Sequence, residues 1–126
     1  FGVRAAIPDP VVVHPVGDEV APTVVPLGIA LAVPAGYELQ LRPRSGLGSK
    51  TGLNLANTPG TIDADYRGEL KAALVVLGDE PYTVEPGARI VQGVLAPVVR
   101  AERFALVDEL PASGRGEDGL GASGTE

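Results

Sequence analysis

Short apolar segments follow one another along a chain that Gly or Pro interrupts at short intervals. They lie at Val11–Val13, Val24–Val25, Leu27–Val33, Leu70–Leu77, Ile90–Val99 and Phe104–Val107. β-branched clusters bounded by turn residues at short, regular spacing predict an all-β sandwich or barrel. In Ile29-Ala30-Leu31-Ala32-Val33 the larger side chains recur at period two, which predicts a strand with one packed face. Phe104 and Leu106 share a face in the same way. The longest stretch without Gly or Pro, Val98 to Leu110, fits a helix or a strand, and strand is the preferred reading. One helical turn is predicted over Ser45–Gly52, with Ser45 as its cap and Gly52 as its stop.

Composition sharpens this pattern. The 126 residues include 17 Gly and 12 Pro, which argues against a helix bundle. The length fits one domain. The five aromatic residues are Phe1, Tyr37, Tyr66, Tyr82 and Phe104, so the core must be aliphatic. A small aliphatic core favours oligomerisation. There is no Cys and one His, His14. Thiol catalysis, zinc ribbons and multi-histidine metal sites are thereby excluded. His14 stands apart from every polar cluster and is taken as structural. The net charge of −6 speaks against a nucleic-acid surface. No apolar run is long enough to cross a membrane, and no signal peptide is visible, so a cytoplasmic protein is expected.

The tail differs from the rest. Residues 111–126 hold five Gly and one large apolar residue, Leu120. Such a segment builds no core, so the chain divides into a β domain at 1–110 and an arm at 111–126. A ligand or a neighbouring subunit is expected to order it.

Four polar clusters could carry chemistry. In Arg42-Pro43-Arg44-Ser45-Gly46-Leu47, a guanidinium, a hydroxyl and free amides meet at a helix start. That suits a phosphate, and equally a capped turn with a solvated Arg. In Asn57-Thr58-Pro59-Gly60-Thr61-Ile62-Asp63-Ala64-Asp65-Tyr66-Arg67-Gly68-Glu69, two carboxylates stand two residues apart and would share a strand face. Either a general base beside a flat aromatic surface or a polar hairpin fits. In Pro86-Gly87-Ala88-Arg89-Ile90-Val91-Gln92, Arg89 and Gln92 stand polar in an apolar strand, as at an exposed edge. In Arg115-Gly116-Glu117-Asp118-Gly119-Leu120-Gly121-Ala122-Ser123-Gly124, backbone amides and one guanidinium could wrap a polyphosphate; a disordered terminus fits as well. Eight of the ten basic residues are Arg, the better bidentate phosphate ligand.

In this order and spacing the clusters resemble the trimeric dUTP pyrophosphatase (dUTPase) family. RPRSGL at 42–47 looks like the second of the family's five motifs, NTPGTIDADYRGE at 57–69 like the third, PGARIVQ at 86–92 like the fourth, and RGEDGLGASG at 115–124 like the fifth. PLGIALAVPAGYE at 26–38 matches the strand and turn before the second motif. The resemblance implies a jelly-roll-like β-barrel in a homotrimer, with active sites shared between subunits and covered by flexible arms. It implies hydrolysis of dUTP to dUMP and pyrophosphate, assisted by Mg²⁺. Asp63 then takes the role of base toward water, and Tyr66 packs on the deoxyribose. Asn57, with Gly60, Thr61 and Ile62, reads uracil. Arg44, Ser45, Gly46 and Gln92 hold phosphates, Arg89 supports the site, and Lys71 contacts substrate. Arg115, Leu120, Gly121 and Ser123 close over the nucleotide.

Two positions depart from the family pattern. Gly2 stands where the first motif has an Asp that holds waters around the metal, so no direct metal ligand is expected. Leu120 stands where the family has a Phe over the uracil. A non-catalytic nucleotide-binding regulator on the same fold is therefore an alternative, and a dCTP deaminase a further one.

Overall fold

The computed structural model describes residues 1–121 and 124. The ordered strands are β1 (Gly2–Arg4), β2 (Val11–Val13), β3 (Thr23–Pro26), β4 (Tyr37–Pro43), β5 (Leu53–Leu55), β6 (Gly60–Ile62), β7 (Lys71–Val76), β8 (Tyr82–Val84) and β9 (Arg89–Pro97). Helical structure among the described residues is α1 (Ser45–Thr51) and a 3-10 turn at Val16–Asp18. The chain is therefore mostly β, as the punctuated apolar pattern predicts. No helix among the described residues is long and apolar enough to cross a membrane.

The strands form two sheets and a ribbon. One sheet has the order β1-β9-β4-β6, the other β3-β7-β5, and β2 pairs with β8. Every strand pair is antiparallel. A single parallel bridge from Pro15 to Val76 ties the ribbon to the second sheet. Period-two burial explains the packing. β4 turns Leu39 and Leu41 inward, and β5 turns in Leu53 and Leu55. β7 contributes Ala72, Leu74 and Val76, and β9 contributes Ile90 and Val91. Val3, Val13, Val25 and Val84 complete one aliphatic cluster shared by both sheets and the ribbon. Each fully buried Leu or Val contributes roughly 1.5–3 kcal/mol of transfer free energy.

Three local expectations are corrected. Residues 27–33 are not a strand. Leu27 N–H donates to the Leu70 carbonyl, and Leu70 N–H to that of Ile29, and no ladder continues beyond. Gly28, at φ 70°, bends the chain there. The period-two pattern survives in part, because Leu27 and Val33 are buried and Leu31 is half-buried. Residues 98–110 are not a strand either. Val98 N–H reaches the Gly36 carbonyl at 2.9 Å, and beyond it the chain runs exposed. Phe104 is 91% and Leu106 101% exposed, so their shared face has nothing to pack on in one chain. Ser45 is not the cap of α1. Arg44 occupies the N-cap with extended backbone and makes no side-chain cap bond. Gly52 does end the helix, at φ 75°.

Candidate active site

The second-motif residues sit where β4 runs into α1. Pro43 ends the strand, Arg44 caps the helix, and Ser45 and Gly46 form its exposed first turn. Arg44 C=O accepts the first helical bond, from Gly48 N–H at 2.8 Å. The amides ahead of Gly48 have no partner within the helix. Arg44 Nη1 donates to the carbonyl of Arg89 at 3.0 Å, which joins this corner to the start of β9. Gln92 Nε2 donates to the Pro43 carbonyl at 3.0 Å, a second tie between the same strands. Gly2 pairs with Gln92 across β1 and β9. A Cβ added at Gly2 would lie 3.1 Å from Arg89 Cδ, so the Arg89 stem lies across the space this glycine leaves. Arg44, Ser45, Gly46, Arg89, Gln92 and Gly2 thus share one end of the first sheet.

The third-motif residues form a second group. Asn57 lies in the exposed connection between β5 and β6. Its Nδ2 is 3.7 Å from where a Cβ of Gly60 would sit, so the connection curls back onto the strand. Gly60 pairs with Leu41, and a Cβ there would crowd the Leu41 Cβ at 3.3 Å. Thr61 is exposed and Ile62 half-buried. β6 ends at Ile62, so Asp63 and Asp65 do not share a strand face as expected. Asp63 instead opens a turn closed by Tyr66 N–H donating to the Asp63 carbonyl at 3.1 Å. That turn leaves the Asp63 side chain exposed. Tyr66 is 41% exposed, and its hydroxyl donates to the Glu69 carbonyl at 2.9 Å. Lys71 opens β7 in the other sheet, exposed and paired with Pro26.

The Arg44 corner and the Asp63 turn are not together in one chain. β4 and β6 are antiparallel, with Leu41 opposite Gly60 and Leu39 opposite Ile62. Arg44 therefore lies beyond the Gly60 end of the ladder, and Asp63 beyond the Ile62 end. From Leu39 to Pro43 a strand rises roughly 13 Å. The described part of the tail joins neither group. Arg115 Nε donates to the Asp118 carbonyl at 2.6 Å and Nη2 to that of Gly119 at 3.3 Å, which closes a local turn. Leu120 is fully exposed, and Gly121 has φ 86°. Ser123 and Ala122 lie outside the described residues.

Among the described residues no group of three or more His, Asp, Glu or Cys could hold a metal ion. A cleft of about 700 Å³ between the C-terminal half of α1 and the β7–β8 turn contains none of the expected site residues. Sequence reading did not assign roles to Gly28, Gly68 and Glu69, which the structure links to Tyr66. Only their place inside the quoted motifs signalled them.

Comparisons with known proteins find relatives over most of the chain. Over 124 residues the chain is 48% identical to a deoxyuridine 5'-triphosphate nucleotidohydrolase of Bdellovibrio bacteriovorus, covering 98% of this chain and 80% of that protein. Over 111 residues it is 54% identical to a protein of the same name from Dinoroseobacter shibae, covering 86% and 71%. A structure of the dUTPase of Staphylococcus bacteriophage 80alpha with dUPNHPP is similar at TM-score 0.78 and 27% identity, over 99% of this chain and 85% of that one. Residues 7–124 match the dUTPase family model, and with about half the residues identical to named members over most of its length, the chain belongs to the dUTPase family.

Proposed function

We propose that the protein is a dUTP diphosphatase of the cytoplasm. It hydrolyses dUTP to dUMP and pyrophosphate in a homotrimer of jelly-roll-like barrels. The observation that carries this reading is the exposed Asp63, held beside Tyr66 at one end of the β4–β6 ladder, in a chain of this family whose phosphate-type corner lies at the other end. One chain holds the Arg44 corner and the Asp63 turn at opposite ends of that ladder. Subunits meeting corner to turn complete the site, and the arm at 111–126 closes over the product of that meeting.

The chemistry follows from the residue types. Water attacks the α-phosphorus while Asp63 takes its proton. A new P–O bond forms, the bond to the bridging oxygen breaks, and pyrophosphate leaves with that oxygen. No covalent enzyme residue is needed, which suits a chain without Cys. Arg44, the amides of Ser45 and Gly46, and Gln92 hold the phosphates, with Arg89 bracing the corner. Arg115 and Ser123 add to the clamp as the arm closes, and Leu120 and Gly121 cover the base. Asn57 and the backbone of Gly60–Ile62 read the uracil edge, since a side-chain amide offers both donor and acceptor. Lys71 approaches the substrate from β7. Bound with the triphosphate, Mg²⁺ would offset its charge, and Gly2 offers no side-chain ligand to it.

The test separates chemistry from binding. Asp63→Asn is expected to lower kcat by about 10²–10⁴-fold while a non-hydrolysable dUTP analogue still binds. Turnover at the parent rate in that variant would remove Asp63 from the role of base. Analogue binding by the parent protein without any pyrophosphate release would favour a regulatory role. Ammonia release from dCTP would favour a deaminase.

A further inference from the structure

The turn after Asp63 contains a glycine that its backbone does not require. Gly68 is absent from the positions with positive φ, so an alanine can adopt its conformation. What a side chain would meet is Tyr66. A Cβ at Gly68 would lie 2.5 Å from the phenolic oxygen, 2.7 Å from Cζ and 3.2 Å from Cε2. All three nearest atoms belong to the outer edge of one ring. The same ring is held by its hydroxyl, which donates to the Glu69 carbonyl at 2.9 Å. Glu69 is anchored in turn, because its Oε1 accepts the backbone N–H of Gly28 at 3.0 Å. The bonds of Leu70 and Leu27 to the same segment fix the far side of that anchor.

From this geometry we propose that Gly68 and Glu69 are positioning residues: together they set the place of the Tyr66 ring and thereby the discrimination between 2′-deoxyribose and ribose. The proposal rests on the reading that Tyr66 packs on the sugar. Gly68 acts by leaving room, and Glu69 by tying the acceptor of the phenol to the 27–29 segment. The displaced group in a Gly68 variant is the end of a side chain, not backbone. The ring moves and the fold stays. A misplacement of about 1 Å at a reacting complex can cost up to about 10²-fold in rate.

The experiment compares kcat/KM for dUTP and UTP in the full-length protein and in Gly68→Ala, with thermal midpoints measured alongside. The dUTP-to-UTP ratio of kcat/KM is expected to fall roughly 10–100-fold, at a midpoint near that of the parent. A parallel loss on both nucleotides, or an unchanged ratio, overturns the proposal. Tyr66→Ala separates it from the reading beneath. If that variant keeps the parent ratio, the sugar contact itself is wrong. If it loses the ratio while Gly68→Ala keeps it, the positioning role alone fails. Glu69→Ala and Glu69→Gln decide the matter should Gly68→Ala not fold. The first is expected to lower the ratio, and the second to restore it, since an amide oxygen still accepts the Gly28 N–H. Equal ratios in both variants overturn the role of Glu69.

Discussion

Arg44 shows how one side chain serves two ends. Its Nη1 is spent on the Arg89 carbonyl, which fixes the guanidinium against β9. The donors that remain form a planar fork suited to phosphate oxygens, which an ammonium lacks. Arg44→Lys keeps the charge and loses both the tie and the fork. Hydrogen bonds to charged groups are worth about 1.5–3 kcal/mol. KM for dUTP is therefore expected to rise about 10–100-fold in steady-state assays, and a KM within twofold of the parent would contradict the assignment. The sequence singles out Arg44 and its neighbours because their types and order are distinctive. What was not legible is the function of residues that act by absence or through the backbone. Gly2 gives room to the Arg89 stem, and Gly68 gives room to Tyr66. A sequence displays neither neighbour.

Among the elements, α1 depends on its exit more than on its entry. No side chain caps its start, whereas Gly52 ends it in the left-handed region. A Cβ at Gly52 would also meet the backbone N of Gly78 at 2.7 Å. Gly52→Ala combines conformational strain with a contact that backbone cannot relieve. It is expected to cost about 1–3 kcal/mol, read from the urea midpoint. Gly46, with nothing within 4 Å of an added Cβ, is the control, and Gly46→Ala is expected at or above parent stability. Equal midpoints for the two variants would contradict this account. Strands with β-branched runs, such as β2, β7 and β9, were readable from local pattern. Residues 27–33 and 98–110 were not, because strand status requires a partner and their local alternation does not say whether one exists. In backbone pairing Leu27–Ile29 meets Leu70 alone, and Phe104–Val107 meets no backbone partner among the described residues.

For the whole molecule, surface tells what one chain lacks. Its accessible area of 8970 Å² exceeds the roughly 6,300 Å² expected of a compact monomer of this 12.8 kDa mass. Much of the exposed apolar surface lies beyond β9, at Val99, Phe104, Leu106 and Leu110. With Asp63 and the Arg44 corner apart, this exposed surface is what neighbouring chains cover in the homotrimer we propose. Light scattering is expected to give three times the chain mass, and a monomer would contradict the shared site. Removing residues 111–126 is expected to leave the unfolding midpoint and mass ratio unchanged while turnover of dUTP is lost. Their described part bonds only locally, so the two sheets do not need it. The central claim is selective hydrolysis of dUTP, and it is tested most directly by pyrophosphate release from dUTP, dTTP, dCTP and UTP, side by side, with Mg²⁺. Rapid release from dUTP and scarcely any from the other three is expected; equal rates on all four would contradict it.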